Sequence, residues 1–272
     1  MPNPNIYLSL LLACLLLSNC TRDFDKIEPP KPSVNPTEET ENPNVQIADI
    51  DLNHWKVTLP IGNPTEVVPP AILDYANHPL LQEFMYNDST DGSIVFYTYP
   101  GSSTANSSYS RTELREQMVP GSNNTNWTFA QGGQMKGTLK MEEISNNDSG
   151  DPHRTIIMQI HGRLTNEQRD WIGEDDNNAP PMLKIYWNNG YVRVKTKELH
   201  DVDATEPEIL YTSAWGDDVG YTFPEEVGYE PFTLEVIASE GRMEVILNNT
   251  ASKVYEGIHI EKWGIFENYF KA

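Results

Sequence analysis

The sequence predicts an all-β fold, an antiparallel sandwich or jelly roll. Short stretches of alternating apolar and polar residues recur through most of the chain, and Gly, Asn, Asp and Pro separate them. Asn188-Asn189-Gly190 lies between Trp187 and Tyr191, which favours a tight hairpin between two strands. Helical periodicity is scarce, and no repeat of fixed period is present. Together these patterns are typical of antiparallel sheets that bury one face.

The clearest predicted strands alternate with a period of two, so that successive side chains point to opposite faces of a sheet. The segment from Ala71 to Phe84 differs, because its apolar residues have mixed spacing, and it predicts short helices. The predicted strands are Ile94–Tyr99, Thr155–His161, Leu183–Trp187, Tyr191–Lys197, Thr233–Ile237 and Met243–Leu247.

The first residues are typical of an export signal. The apolar run Ile6–Leu17 has the length of a secretory core, roughly 7–15 residues, and is shorter than the roughly 20 residues that span a bilayer. It leads to Leu17-Ser18-Asn19-Cys20, which resembles a bacterial lipoprotein box. We therefore expect residues 1–19 to be a lipoprotein signal peptide and Cys20 to carry lipid. No Lys or Arg precedes the run, so an ordinary cleaved signal peptide remains the alternative.

Residues 20–46 are rich in Pro and Glu and poor in large apolar residues, which predicts a disordered tether. The remaining residues, 47–272, have the length of a single β-sandwich domain. Only Cys14 and Cys20 are cysteines, so the processed domain has no disulfide. We expect a bacterial cell-envelope protein that is exported or lipid-anchored in the outer membrane.

The formal net charge of −21 argues against nucleic acid as a partner, because phosphate binding needs a basic surface. An anionic ligand of any other kind would require a local cationic cleft on an acidic body. Two groups of residues could supply it. Arg111, Glu113 and Arg115 alternate along one predicted strand face, where the carboxylate could orient both guanidinium groups. A solvated row of surface ion pairs is the alternative.

The second group is Arg193, Lys195 and Lys197, which also alternate and would share one face, opposite Val192 and Val194. Lysine can also protect a sheet edge from aggregation, and that alternative stays open.

Gln159 and His161 alternate after an apolar run, so an amide and an imidazole would emerge on one face. Histidine is the usual proton-transfer residue near neutral pH, although a lone histidine is more often structural. Near the end of the chain, Asn268-Tyr269-Phe270-Lys271-Ala272 places a lysine after two aromatic residues. Trp263 and Phe266, which precede it, could contact sugar or fill a core.

These motifs resemble the alginate lyases of polysaccharide lyase family seven. The resemblance rests on Arg111-Thr112-Glu113-Leu114-Arg115, Gln159-Ile160-His161 and Tyr269-Phe270-Lys271-Ala272, in that order. Trp55-Lys56-Val57-Thr58-Leu59-Pro60 adds to it near the start of the domain. It implies a β-jelly roll with a concave sheet and a substrate groove, and an anionic polysaccharide, alginate, as the substrate.

The resemblance also implies roles. Arg111, Gln159 and His161 would be catalytic in a β-elimination that leaves unsaturated oligosaccharides, while Glu113, Arg115 and Lys271 would shape or contact substrate subsites. Isoleucine at position 160 leans toward guluronate or mixed blocks. The family's proton-donating tyrosine would lie three residues beyond Ala272. We therefore expect a fragment with little activity that lacks its closing strand and leaves an open sheet edge.

A non-catalytic glycan-binding surface lipoprotein is the main alternative, although binding alone has no use for the Gln159 and His161 pair. Glycoside hydrolysis would need two carboxyl groups across the cleft, and Glu113 is the only carboxylate within the motifs. No histidine spacing indicates a metal, so we expect neither metal nor cofactor, and a monomer.

Overall fold

The structure, a computed structural model, describes residues 47–101 and 109–272. The predicted signal peptide, Cys20 and the predicted tether lie outside the described residues. The described residues belong to one compact unit. Within the described residues, no helix has the length and apolar character needed to cross a membrane.

Antiparallel strands form most of this unit. The strands are β1 (Trp55–Leu59), β2 (Thr65–Val67), β3 (Met85–Asp88), β4 (Ser93–Phe96), β5 (Glu113–Glu116), β6 (Trp127–Thr128), β7 (Gly133–Leu139), β8 (Thr155–Arg163), β9 (Asn178–Asn188), β10 (Tyr191–Leu199), β11 (Trp215–Asp217), β12 (Tyr221–Glu226), β13 (Phe232–Ser239), β14 (Arg242–Leu247), β15 (Ala251–Glu256) and β16 (Glu267–Lys271). The α-helices are α1 (Asn166–Ile172) and α2 (Ile258–Trp263), and the 3₁₀ helices are Leu52–His54, Ala71–Asp74, Leu81–Glu83, Glu208–Leu210 and Thr212–Ala214.

A ten-stranded sheet follows the order β11-β10-β9-β8-β16-β5-β1-β2, with β12 on β10 and β6 on β16. A four-stranded sheet has the order β15-β14-β13-β7, and β3 and β4 form a separate pair. The main core lies between the two larger sheets, where Ile160 and Phe270 of one join Val236 and Val245 of the other. The all-β sandwich of the jelly-roll type is therefore confirmed.

The local predictions are mostly confirmed. Asn188 pairs with Tyr191, and the turn residues Asn189 and Gly190 have φ values of 50° and 85°, as a two-residue hairpin requires. The Ala71 to Phe84 segment contains two short 3₁₀ helices. The strand predicted over Ile94–Tyr99 ends at Phe96, because its partner strand begins at Met85, which pairs with Phe96.

The final strand, β16, lies inside the large sheet rather than leaving an open edge. Its residues Glu267–Lys271 pair with β8, and Lys271 also pairs with Arg115 of β5. Ala272 then exchanges two backbone hydrogen bonds with Leu114. β16 itself is therefore not an edge strand, because β8 pairs along its length while β6, the Glu116 carboxylate and β5 contact its other side. The expectation that a closing strand is missing stays a prediction.

Candidate active site

A row of side chains crosses the large sheet at right angles to its strands. Directly opposed pairs link one strand to the next, so the members of the row share one face. The row comprises Lys56, Arg115, Lys271, Gln159, Lys184 and Lys195. Apart from Gln159, every member is cationic. The protein as a whole carries a formal charge of −21, so the sheet concentrates positive charge where an acidic glycan could lie.

Glu113 is the centre of the hydrogen-bonded part of this face. Its Oε1 accepts from Nζ of Lys271 at 2.8 Å, and its Oε2 accepts from Nε2 of Gln159 at 2.7 Å. Nε of Arg111 lies 3.7 Å from Oε1. The carboxylate is 13% exposed, so these contacts are not a solvated surface pair. Glu113 therefore holds three candidate residues, contributed by three separate segments of the chain, in one arrangement.

Arg111 retains hydrogen-bonding capacity. Its Nε is buried and has no hydrogen-bond partner among the described residues. The Glu113 carboxylate lies 3.7 Å from this nitrogen, which is too far for a hydrogen bond, so it neutralises the guanidinium charge only in part. The side chain as a whole is 23% exposed, so the other N–H groups of the guanidinium can donate to the carboxylate of a bound ligand.

Arg115 has partners other than the predicted one. It is 6% exposed, and its guanidinium donates to the Glu116 carbonyl at 2.8 Å and to Oδ1 of Asn126 at 3.0 Å. The same group lies 3.9 Å from the ring centroid of Tyr269, a cation–π contact. The prediction that Glu113 orients both arginines is therefore wrong for Arg115, and the solvated-row alternative is also wrong.

The imidazole of His161 stacks on the ring of Tyr269, the same ring that the Arg115 guanidinium contacts. Its imidazole and the Tyr269 ring are 5.3 Å apart with an interplanar angle of 12°. Nδ1 lies 2.9 Å from the Gly162 carbonyl. Because a carbonyl can only accept, Nδ1 carries the hydrogen, and Nε2 has the free lone pair.

The charge state of His161 follows from its surroundings. Burial, and secondly the nearby Lys271 ammonium, lower the pKa of His161 to about 3. The imidazole is consequently neutral at neutral pH. A neutral ring with a free Nε2 is the form that can take a proton from a substrate.

Arg193, Lys195 and Lys197 share one face of β10, and Val192 and Val194 are fully buried on the other. The edge-protection alternative is wrong, because β9 pairs with one side of β10 while β11 and β12 pair with the other.

The cations of β10 are partly satisfied by the protein itself. Nζ of Lys197 lies 2.5 Å from Oδ1 of Asp217, and Nζ of Lys195 lies 3.9 Å from Oδ2. The Arg193 guanidinium donates to Oγ1 of Thr222 and to the Val219 carbonyl. All three side chains thus contact the neighbouring strands or the turn between them.

Sequence reasoning did not single out Lys56, Lys184, Tyr269, Asn126 or Asp217 as site residues. Alternation within β1 and β9 places the two lysines on the groove face, a signal that was available. For Asn126 and Asp217 no local pattern existed, because only the pairing of distant segments brings them to the site. Trp263 and Phe266 are fully buried in the main core, so they do not contact ligand.

The family model described as Alginate lyase matches residues 50–272. A crystal structure of alginate lyase A1-II′, a member of polysaccharide lyase family 7, is 30% identical with a TM-score of 0.60, covering 81% of this chain and 84% of that chain. No curated protein matches the chain.

Two complexes of variants of the same enzyme are also similar. One, with product (GGG), is 28% identical with a TM-score of 0.62 and covers 85% of this chain and 87% of that chain. The other, with substrate (GGMG), is 28% identical with a TM-score of 0.59 and covers 82% of this chain and 84% of that chain.

Proposed function

This chain belongs to the alginate lyases of polysaccharide lyase family 7, and on that premise we propose that it cleaves alginate by β-elimination, with a preference for guluronate or mixed blocks. The observation that carries the mechanism is the cluster around Glu113, which joins Arg111, Gln159 and Lys271 beside the neutral imidazole of His161. Each residue has a separate task in the reaction.

Arg111 and Gln159 neutralise the carboxylate of the reacting uronate. When the C5 proton is removed, negative charge spreads onto that carboxylate, and donors already in place stabilise it. Gln159 uses one amide hydrogen on Glu113, which leaves the second for the substrate. Arg111 supplies the cation, and its Nε lacks another partner among the described residues.

His161 removes the C5 proton through Nε2. The C5–H electron pair forms the C4=C5 double bond, and the bond from C4 to the glycosidic oxygen breaks. That oxygen leaves with a proton from a general acid, a role that the family resemblance assigns to a tyrosine. The products are one chain with a new reducing end and one with an unsaturated sugar at its non-reducing end.

The block preference has indirect support. Ile160 is fully buried on the core side of β8, so it acts on the groove only by setting the positions of its neighbours Gln159 and His161. Variants of a 28% identical relative bind product (GGG) and substrate (GGMG). The ligands of the relative favour guluronate-containing chains.

The direct test is the formation of ultraviolet-absorbing unsaturated product by protein expressed from the complete gene. Polyguluronate, polymannuronate and mixed-block alginate are supplied separately, and we expect the highest kcat/KM on polyguluronate or mixed blocks. Substituting His161→Ala should reduce kcat by roughly 10²–10⁴-fold, the usual contribution of a general base. The matched control is His200→Ala, an exposed histidine outside the cluster.

Two results would contradict the proposal. Absence of product from the unsubstituted enzyme, together with tight alginate binding, would favour the alternative glycan-binding protein. Unchanged turnover by the His161→Ala variant would remove His161 from the mechanism while leaving the lyase activity intact.

We further propose that the enzyme is a monomer held at the bacterial cell envelope through lipid on Cys20. The apolar run before Cys20 and the Pro-rich segment after it support an anchor and a tether. Fractionation of cells that express the wild type or Cys20→Ser tests the anchor, since the variant should leave the membrane fraction. Light scattering of the purified protein measures its mass.

A further inference from the structure

Lys184 is a cation of the groove row that has no protein partner among the described residues. It lies directly opposite Gln159 on one side and Lys195 on the other. Among the described residues, its ammonium makes no hydrogen bond and has no carboxylate within 4 Å. By contrast, Lys56 is paired with Glu66 at 2.5 Å, and Lys271 with Glu113 at 2.8 Å. Lys184 is thus the row's unpaired lysine in the part of the chain that the structure describes.

The neighbours of Lys184 leave excess positive charge. Arg154, Lys195 and Lys197 lie close enough to interact with it, and Asp217 is the carboxylate that faces this group. Four cations against one carboxylate give a formal excess of three positive charges (4 − 1 = 3). Burial lowers the pKa of Lys184, Asp217 opposes that effect, and the neighbouring cations add to it.

Arg154 is already oriented for a ligand. Its guanidinium lies 5.1 Å from the ring centroid of Tyr186, which follows Lys184 by two residues on the same face of β9. Stacking on a ring fixes the plane of a guanidinium without using its N–H groups. Its donors are therefore available to a planar carboxylate.

We propose that Lys184 and Arg154 form a subsite for the carboxylate of the uronate next to the one that reacts. The inference deepens the proposed function and depends on it. Neighbouring strands are about 4.8 Å apart, so Lys184 is one strand step from Gln159 along the row. A polysaccharide that follows the row places its next acidic sugar over β9. There the excess positive charge favours an anion and disfavours a neutral glycan.

Asp217 has the opposite effect in this subsite. It holds Lys197 at 2.5 Å and lies 3.9 Å from Lys195, so it withdraws both cations from a bound uronate. It also repels a substrate carboxylate. The geometry therefore predicts opposite effects of two substitutions: removal of the Lys184 charge weakens binding, and removal of the Asp217 charge strengthens it.

The test compares steady-state kinetics of Lys184→Gln, Lys184→Arg and Asp217→Asn in the complete protein, with long-chain alginate as substrate. Lys184→Gln should raise KM about ten-fold, as expected for one charge-assisted hydrogen bond, with kcat changed much less. Lys184→Arg should recover most of the affinity. Asp217→Asn should lower KM and make it rise more steeply with salt. Lys140→Gln, which removes an exposed lysine paired with Glu142, is the matched control and should leave KM unchanged.

The melting temperature of the Lys184→Gln variant distinguishes a substrate-binding role of Lys184 from a purely structural one. Removing an unpaired, partly buried cation should leave the melting temperature unchanged or raise it, whereas loss of a structural contact would lower it. A KM for Lys184→Gln equal to that of Lys140→Gln would overturn the subsite. So would a rise in KM for Asp217→Asn similar to that for Lys184→Gln. If the unsubstituted enzyme produces no unsaturated product, the proposed function itself fails, which is a distinct outcome.

Discussion

Gln159 donates a 2.7 Å hydrogen bond from its side-chain amide to Oε2 of Glu113, although the two residues are 46 positions apart in the sequence. An ionised carboxylate can only accept, so the amide nitrogen must face Glu113. Because the amide group is planar, that contact also fixes the direction in which the remaining amide hydrogen points. Glu113 therefore sets the orientation of a candidate catalytic group without itself reacting.

Glu113→Gln should disrupt this positioning role. The amide can accept from Gln159 or from Lys271 but not from both, and it leaves Arg111 and Lys271 without their carboxylate. We expect kcat/KM to fall about 10²-fold, as small misplacements of catalytic groups do. Product formation on alginate measures this. Glu142→Gln, at an exposed ion pair, serves as the control, and equal activity of the two variants would refute the role.

The pH profile of kcat/KM should show no inflection near 6.5, the ordinary pKa of histidine. Because burial lowers the pKa of His161 to about 3, the free enzyme keeps its base neutral as pH falls through 6.5. We expect kcat/KM to stay level down to about pH 5, the upper edge of carboxyl titration. A pH profile of the initial rate at low substrate concentration measures this. An inflection near 6.5 would show that the imidazole is exposed to solvent in the working enzyme.

The lowered pKa of His161 also makes the free energy of unfolding depend on pH. His161 has the higher pKa in the unfolded chain, so the unfolded state binds more protons below pH 6.5. Its contribution to the free energy of unfolding is full above pH 6.5 and is lost as pH falls toward 3. The free energy of unfolding, measured in urea for wild type and His161→Gln, should therefore differ by a constant amount above pH 6.5. Below pH 6.5 the wild type should lose more stability than the variant as the pH falls.

Tyr269 lies between the Arg115 guanidinium, 3.9 Å from its ring centroid, and the stacked imidazole of His161. If the ring is what positions both groups, Tyr269→Phe should retain most activity. Tyr269→Leu should lose the cation–π contact, about 1–2 kcal/mol for a desolvated site, and about ten-fold in kcat/KM. Kinetics of the pair decide the point, and a larger loss for Tyr269→Phe would instead assign a role to the hydroxyl.

Gly162 follows His161 in a position that excludes any side chain. An added Cβ would lie 2.7 Å from Cζ2 of Trp263 and 3.0 Å from the Pro180 carbonyl. Trp263 is fully buried, so relief requires movement of the core. Gly162→Ala should cost about 1–3 kcal/mol in urea unfolding. Gly137→Ala, where a Cβ meets nothing within 4 Å, is the matched control in a strand of the other sheet.

Much of the fold was predictable because strand alternation is a local property. β8, β10, β13 and β14 begin or end within two residues of their predicted bounds, and the hairpin at Asn189-Gly190 follows from its turn residues. β4 was predicted too long, since the alternation continues past the point where its partner strand starts. Short motifs predicted the candidate residues Arg111, Gln159, His161 and Lys271. The motifs did not predict which of these side chains contact one another.

The sequence by itself determined which residue types lie on each strand face, because side chains alternate along a strand whatever its neighbours are. Tertiary structure decided which faces meet. Glu113 and Lys271 are 158 positions apart, and only the insertion of β16 between β8 and β5 brings them to 2.8 Å. The same register aligns Lys184 with Gln159 and gives Arg115 the partners Asn126 and Tyr269. It also places His161 half-buried among the strands, and this partial desolvation is the main cause of its lowered pKa.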